Sequence, residues 1–107
     1  SRALLHCVSE YPCPMEKLEL RHLKVLSQVS VMLDVWGEQP AVGLSDHTVE
    51  LGTGSAAVRA GATVLEKHFR LADDTESPDS HFAITPAQLA IYINLARHAE
   101  AHPHGPA

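Results

Sequence analysis

Two four-residue stretches, Ser45-Asp46-His47-Thr48 and Glu66-Lys67-His68-Phe69, hold residue types that can do chemistry together. Each follows a short apolar run of strand length, 41–44 and 62–65. The tetrads are offset by 21 residues, room for one strand, one crossover helix and two short loops. Aligned by that offset, Ser45 meets Glu66, Asp46 meets Lys67 and His47 meets His68. Side chains alternate along a strand, so Ser45 and His47 share one face with Glu66 and His68, while Asp46 and Lys67 take the other. On neighbouring strands about 4.8 Å apart, two imidazoles, a hydroxyl and a carboxylate then converge on one patch. That patch lies at the carboxyl ends of parallel strands and reads as an active-site corner. Taken alone, strand-end histidines serve as metal ligands or as structural groups, and the residue types leave both open.

The elements that must position this corner follow from the pattern along the chain. Residues 3–9 form a continuous apolar run of strand length, stopped by Tyr11-Pro12-Cys13-Pro14, where two prolines remove ladder donors. A helix is expected over 15–35, with Leu18, Leu23, Val25, Leu26, Val29, Met32 and Leu33 broadly on one stripe. Gly37-Glu38-Gln39-Pro40 is a turn, and 41–45 a second strand. A helix over 50–60 ends at Gly61 in the manner of a glycine C′ cap, and strand three is 62–66. A polar loop spans 71–84. Thr85-Pro86 with Gln88 marks the start of a last helix running to about 101, whose apolar side holds Leu89, Ile91, Tyr92, Leu95 and Ala96. Residues 1–101 are expected to be one domain and 102–107 a frayed tail.

The resulting β-α-β-α-β-α order gives an α/β class of parallel β/α units with right-handed crossovers. Helices along one side leave the other sheet face uncovered, and Leu5, Cys7 and Leu44 are expected there. Asp46 and Lys67, facing the helices, are expected to pair or cap, and His6 to be a hydrogen-bonded core histidine. His22 and His98 are expected to be solvated.

Composition sets the outer bounds. The chain has 107 residues, one domain at most, with 45% hydrophobic and 20% charged residues, ordinary for a globular protein. A net charge of −5 with eight Lys plus Arg gives no footprint for nucleic acid or an anionic membrane. No apolar run approaches the roughly 20 residues of a membrane span, and the first residues lack a signal-peptide layout, so a cytoplasmic protein is expected. Cys7 and Cys13 do not have a zinc spacing and read as reduced thiols.

At this point the residues become specific. Leu4-Leu5-His6-Cys7-Val8-Ser9-Glu10-Tyr11-Pro12, then Val42-Gly43-Leu44-Ser45-Asp46-His47-Thr48, then Gly61-Ala62-Thr63-Val64-Leu65-Glu66-Lys67-His68-Phe69, with Pro78-Asp79 and Pro86 following in order, resemble the sialic acid synthase family. That family comprises N-acetylneuraminate, legionaminate and pseudaminate synthases and related spore-coat polysaccharide proteins. The resemblance implies strands six to eight of a TIM (β/α)8 barrel, incomplete here because such a barrel needs on the order of 200 to 250 residues. It implies condensation of phosphoenolpyruvate with an N-acetylated aldose, with release of phosphate. It further implies that His47 and His68 hold a divalent cation, manganese or magnesium. Ser45 and Ser9 would contact phosphoenolpyruvate, Glu66 would sit beside its reacting end, and Tyr11 and Asp79 would contact the sugar.

The chemistry asks for such types. A Lewis acid polarises an aldehyde toward a weakly nucleophilic enol carbon. A carboxylate such as Glu66 can stabilise the cationic carbon that follows or help deprotonate the water that adds to it. A hydroxyl donates to a phosphate oxygen but cannot neutralise it, and no lysine or arginine is expected on the right face. The chain departs from the family pattern at Ser9 (asparagine in many members), Arg70 (threonine), Ser77 (glycine), Ser80 (histidine) and Ala83 (serine), mostly in the loop that shapes the sugar pocket. Two other readings are an inactive remnant serving as a metal-binding or oligomeric scaffold, and a metal-dependent aldolase or isomerase. Open strand edges and an uncovered face lead to the expectation of a homo-oligomer, or of the remainder of the barrel as partner.

Overall fold

The computed structural model describes residues 2–8, 13, 18–34, 37–70 and 83–103. The elements are β1 (Ala3–Cys7), α1 (His22–Met32), β2 (Ala41–Asp46), α2 (Thr53–Arg59), β3 (Val64–Lys67) and α3 (Pro86–Ala101), in the expected alternation. The strands form one parallel sheet in the order β1-β2-β3. Leu5 lies opposite Gly43 and Cys7 opposite Ser45. Ser45 in turn lies opposite Glu66, and Asp46 opposite Lys67, the register inferred from the 21-residue offset.

β2 is central and its apolar run is buried on both faces, as expected of an inner parallel strand. Val42 and Leu44 pack against Leu18, Leu23, Ala57 and Ala62 on the helix side. Leu44 therefore departs from the sequence expectation. It alternates with Ser45, lies opposite His6 and Leu65, and is fully buried under the helices rather than on the uncovered face. Leu5 and Cys7 do face away from the helices and are exposed. His6 makes the expected hydrogen bond, with Nε2 2.6 Å from the Leu18 carbonyl oxygen, and its ring stands edge-on to His22.

Several element bounds differ from those expected, each for a local reason. α1 begins at His22, not near 15, because Glu19 takes a left-handed φ of 46° that a right-handed helix cannot contain. Its buried side is narrower than the apolar stripe: Leu23 is buried and Leu26 half-buried, while Val25, Val29 and Met32 are exposed. α2 begins at Thr53, not 50, because the Asp46 and Thr48 side chains take the Thr48 and Glu50 backbone N–H groups into local turns. Its end is as expected. Gly61 has a φ of 110°, and the bonds Gly61 N–H to Val58 O (3.0 Å) and Ala62 N–H to Ala57 O (2.9 Å) form a Schellman motif. That motif occupies Ala62, so β3 starts at Val64 rather than 62. At Thr85 the capping box is complete: Gln88 N–H donates to Thr85 Oγ1 (3.2 Å), and Thr85 N–H donates to Gln88 Oε1 (2.9 Å). No helix among the described residues is long and apolar enough to cross a membrane.

Two glycines admit close approaches on which the packing depends. A β-carbon at Gly43 would lie 2.0 Å from the Val64 carbonyl oxygen, and one at Gly54 would lie 2.5 Å from the Tyr92 ring. The Tyr92 ring can turn aside only by giving up its hydroxyl's bond to Asp46, whereas a paired backbone cannot move without parting β2 from β3. Gly43→Ala is therefore expected to lower the urea midpoint more than Gly54→Ala, whose overpacking should cost about 1–3 kcal/mol. The reverse order in equilibrium unfolding would contradict this account of the sheet.

Candidate functional site

Cys7, Ser45 and Glu66 lie abreast on the three strands, on the face away from the helices. One step toward the carboxyl ends, His47 and His68 stand side by side, ring centroids 5.9 Å apart and planes at 75°. The Ser45 hydroxyl donates to Glu66 Oε1 at 2.5 Å. With its one proton so used, the Ser45 oxygen accepts from the Nε2–H of His47 at 3.2 Å. The Cys7 sulfur lies 3.4 Å from the same nitrogen. Ser45 and His47 are buried, His68 is half-buried and Glu66 is exposed, so the group opens outward on the β3 side. Behind it, Cys13 N–H donates to the His47 carbonyl at 2.9 Å, tying the segment after β1 to the strand end that carries the imidazole.

The sequence-derived quartet of Ser45, His47, Glu66 and His68 is thus assembled in one place. Ser9, Tyr11 and Asp79 lie outside the described residues. The sequence reading missed two residues. Cys7, read as a bland thiol, touches His47; its place in the alternation that also holds Leu5 was the available signal. Tyr92, read as part of an apolar helix side, is buried with its hydroxyl on Asp46, and a buried tyrosine hydroxyl usually requires such a partner.

The reverse face of the same strand ends holds a second polar group. Asp46 and Lys67 pair at 3.2 Å with almost no exposed side-chain surface. The Lys67 ammonium also donates to the Thr48 carbonyl at 2.5 Å, and the Tyr92 hydroxyl donates to Asp46 Oδ2 at 2.8 Å. This is the helix-facing pairing expected of Asp46 and Lys67. Burial holds the Lys67 ammonium below the ordinary lysine value, although Asp46 acts the other way. Burial, and then the Asp46 charge, push the Tyr92 phenol well above its ordinary value.

One expectation about charge changes. A bridge between Phe69 and Ile84, with Arg70 N–H donating to Ile84 O (2.8 Å) and Ile84 N–H to His68 O (3.1 Å), carries the extended chain beyond β3. Phe69 then shares the side of Leu65 and Lys67, lining with them an apolar groove of about 530 Å³ against α2 and α3. Arg70 falls in the alternation of Glu66 and His68, so a positive residue does stand on the site's side. Its Nε is buried, with no hydrogen-bond partner among the described residues.

The donor set suits a first-row divalent cation in type, since two neutral imidazoles on adjacent strand ends bind such ions. Among the described residues there is no group of three or more His, Cys, Asp or Glu placed so that it could hold a metal ion. Two imidazoles are fewer than the three protein ligands a catalytic zinc site ordinarily has.

Comparison with known proteins finds relatives of the chain as a whole. A profile of the NeuB family matches residues 1–104. N,N'-diacetyllegionaminic acid synthase of Campylobacter jejuni is 36% identical over 94 residues, 88% of this chain and 26% of that protein. The crystal structure of spore coat polysaccharide biosynthesis protein SpsE from Bacillus subtilis superposes with a TM-score of 0.83 at 30% identity, over 98% of this chain and 29% of that one. The N-acetylneuraminic acid synthetase of Leptospira borgpetersenii shares the fold, with a TM-score of 0.80 at 24% identity, over 98% of this chain and 34% of that one. The chain spans about a quarter of the length of the curated relatives it matches.

The buried pair and its tyrosine make stability depend on alkaline pH. A tyrosine whose folded value is raised contributes stability that is fully present below about pH 10 and is lost as pH rises further. Lys67, with its value lowered, acts oppositely: stability rises with pH while only the unfolded chain keeps the extra proton, up to about pH 10.5. From about pH 10.5 to about pH 11.5 the urea midpoint should therefore fall, and fall less steeply in Tyr92→Phe. Equal slopes in the two proteins would show that Tyr92 does not govern alkaline unfolding.

Proposed function

The chain belongs to the NeuB family, and we propose that it is the part of a nonulosonic acid synthase barrel that carries strands six to eight. In this reading the complete enzyme condenses phosphoenolpyruvate with an N-acetylated aldose of the N-acetylmannosamine kind. A carbon–carbon bond forms between the enol carbon and the aldehyde carbon, water adds to the cationic carbon left behind, and phosphate departs. The observation that carries the reading is the quartet of His47, His68, Ser45 and Glu66 at the carboxyl ends of parallel strands.

His47 and His68 hold the divalent cation, manganese or magnesium. When bound, the cation supplies Lewis-acid polarisation of the acceptor aldehyde. Ser45 turns its hydroxyl from Glu66 to an oxygen of phosphoenolpyruvate, which leaves the Glu66 carboxylate free to face the reacting carbon. There it stabilises developing positive charge and accepts a proton from the incoming water. Ser9 is assigned to phosphoenolpyruvate, and Tyr11 and Asp79 to the sugar. Arg70 adds one positive group toward the anionic substrate, and the remaining phosphate charge is met by residues of the other β/α units.

Those units also account for surfaces that are otherwise hard to explain. The edges of β1 and β3, which pair with no further strand among the described residues, the exposed Leu5, and the groove lined by Val58, Leu65, Phe69 and Ile93 are the places where the remaining barrel docks. Deprived of it, the chain would cover the same surfaces with further copies of itself, as a homo-oligomer.

Manganese titration followed by electron paramagnetic resonance tests the site. His47→Ala and His68→Ala are each expected to abolish binding, and binding that survives both substitutions would remove the assignment. Phosphate release from phosphoenolpyruvate plus N-acetylmannosamine is expected from the complete barrel and not from these 107 residues alone. Metal-dependent turnover by the isolated chain would sink the view that the phosphate-neutralising groups lie elsewhere.

A further inference from the structure

We propose that Asp46, Lys67 and Tyr92 form a positioning latch that fixes the separation of the His47 and His68 imidazoles; this rests on reading those two rings as the metal pair. Each charged member immediately precedes one of the histidines, and the two are register partners across β2 and β3. The pleat sends them to the helix side while the imidazoles point to the open side, so the latch lies directly behind the site.

The carboxylate of Asp46 is fully used. Oδ1 accepts from Thr48 N–H at 2.9 Å and from Thr48 Oγ1 at 2.7 Å. Oδ2 accepts from Tyr92 Oη at 2.8 Å and from the Lys67 ammonium at 3.2 Å. Because the acceptor is residue 46 and the backbone donor residue 48, His47 is the enclosed residue of this turn. Lys67 reaches over to the Thr48 carbonyl, so β3 grips the chain on the far side of His47 as well. The His68 carbonyl is held in turn by Ile84 N–H, directly before α3, and α3 delivers Tyr92 to the carboxylate. Both imidazole-bearing residues are thereby attached to one buried carboxylate.

Stability alone does not account for charges in this place, since buried ion pairs are often replaced by apolar groups without loss. What apolar groups cannot provide is directional bonds to the residue after His47 and to the strand bearing His68. Groups that orient metal ligands from behind typically change affinity about 10–100-fold when removed.

The experiment compares Asp46→Asn and Tyr92→Phe with Ser30→Ala in the intact protein. Ser30 is buried on α1 and donates to the Pro40 carbonyl at the amino end of β2, the opposite end of that strand from Asp46, so its variant loses stability without touching the carboxyl ends. Two quantities are read in each. One is manganese affinity by electron paramagnetic resonance. The other is the rate at which the Cys7 thiol, exposed and 3.4 Å from His47, reacts with a neutral aromatic disulfide, while Cys13 is buried. Asp46→Asn should weaken manganese binding by about tenfold or more and shift the thiol rate. Tyr92→Phe should move both in the same direction by less, and Ser30→Ala should move neither. Wild-type affinity and thiol rate in both latch variants, with stability lowered as in Ser30→Ala, would overturn the proposal. If the wild-type protein binds no manganese, the metal reading fails on its own, and the thiol rate still decides the latch. Should Asp46→Asn not fold, Tyr92→Phe carries the decision.

Discussion

A carboxylate with no exposed surface, Asp46, is the constraint around which the described structure is arranged. Burying a lone charge costs far more than a small domain can offset, so the surroundings must neutralise and hydrogen-bond it. Lys67 from β3, Thr48 from the turn after β2 and Tyr92 from α3 do so together. Elements far apart in sequence thus converge because one charge needs all of them. Thr53 at the start of α2 joins the group through the Thr48 hydroxyl, 3.0 Å away. The turn bonds at Thr48 and Glu50 that delay α2 by three residues also follow from satisfying this centre.

The same strand ends are two-sided. Toward the helices they carry a closed, fully bonded polar network; toward the open face they carry hydroxyl, carboxylate, imidazole and thiol groups, part of them accessible to solvent. Strand alternation separates the two sets by a single residue, so rigidity and reactivity sit back to back. An arrangement of this kind suits catalysis, in which reactive groups act best when their supports do not move.

Exposed apolar residues on α1 and α3, together with edges of β1 and β3 that pair with no further strand among the described residues, fit a chain spanning about a quarter of the length of its curated relatives. On the proposed reading these surfaces are internal joints of a larger barrel. That explains why the apolar stripe of α1 is wider than the face it buries here: Val25, Val29 and Met32 are apolar yet exposed among the described residues. Sequence periodicity records where a side chain is buried in the whole protein, whichever part supplies the cover.

The sequence by itself determined the β-α-β-α-β-α order, the parallel register of Ser45 with Glu66 and Asp46 with Lys67, the glycine stop after α2 and the capping box of α3. These depend on short-range chemistry: a period-two pattern, a backbone that needs φ above zero, and a hydroxyl three residues from its donor. It also gathered the quartet of Ser45, His47, Glu66 and His68, because equal offsets on adjacent parallel strands leave little freedom. The alternation that put Ser45 on the open face also implied the place of Leu44 under the helices, against the expectation stated for it. Only the tertiary structure decided that Cys7 touches His47, that Tyr92 reaches Asp46 from 46 residues away, and that Arg70 continues the β3 pleat on the site's side. Each of these depends on where a distant segment comes to rest. No local propensity encodes that position; it is fixed by packing and by the demand that buried polar groups be satisfied.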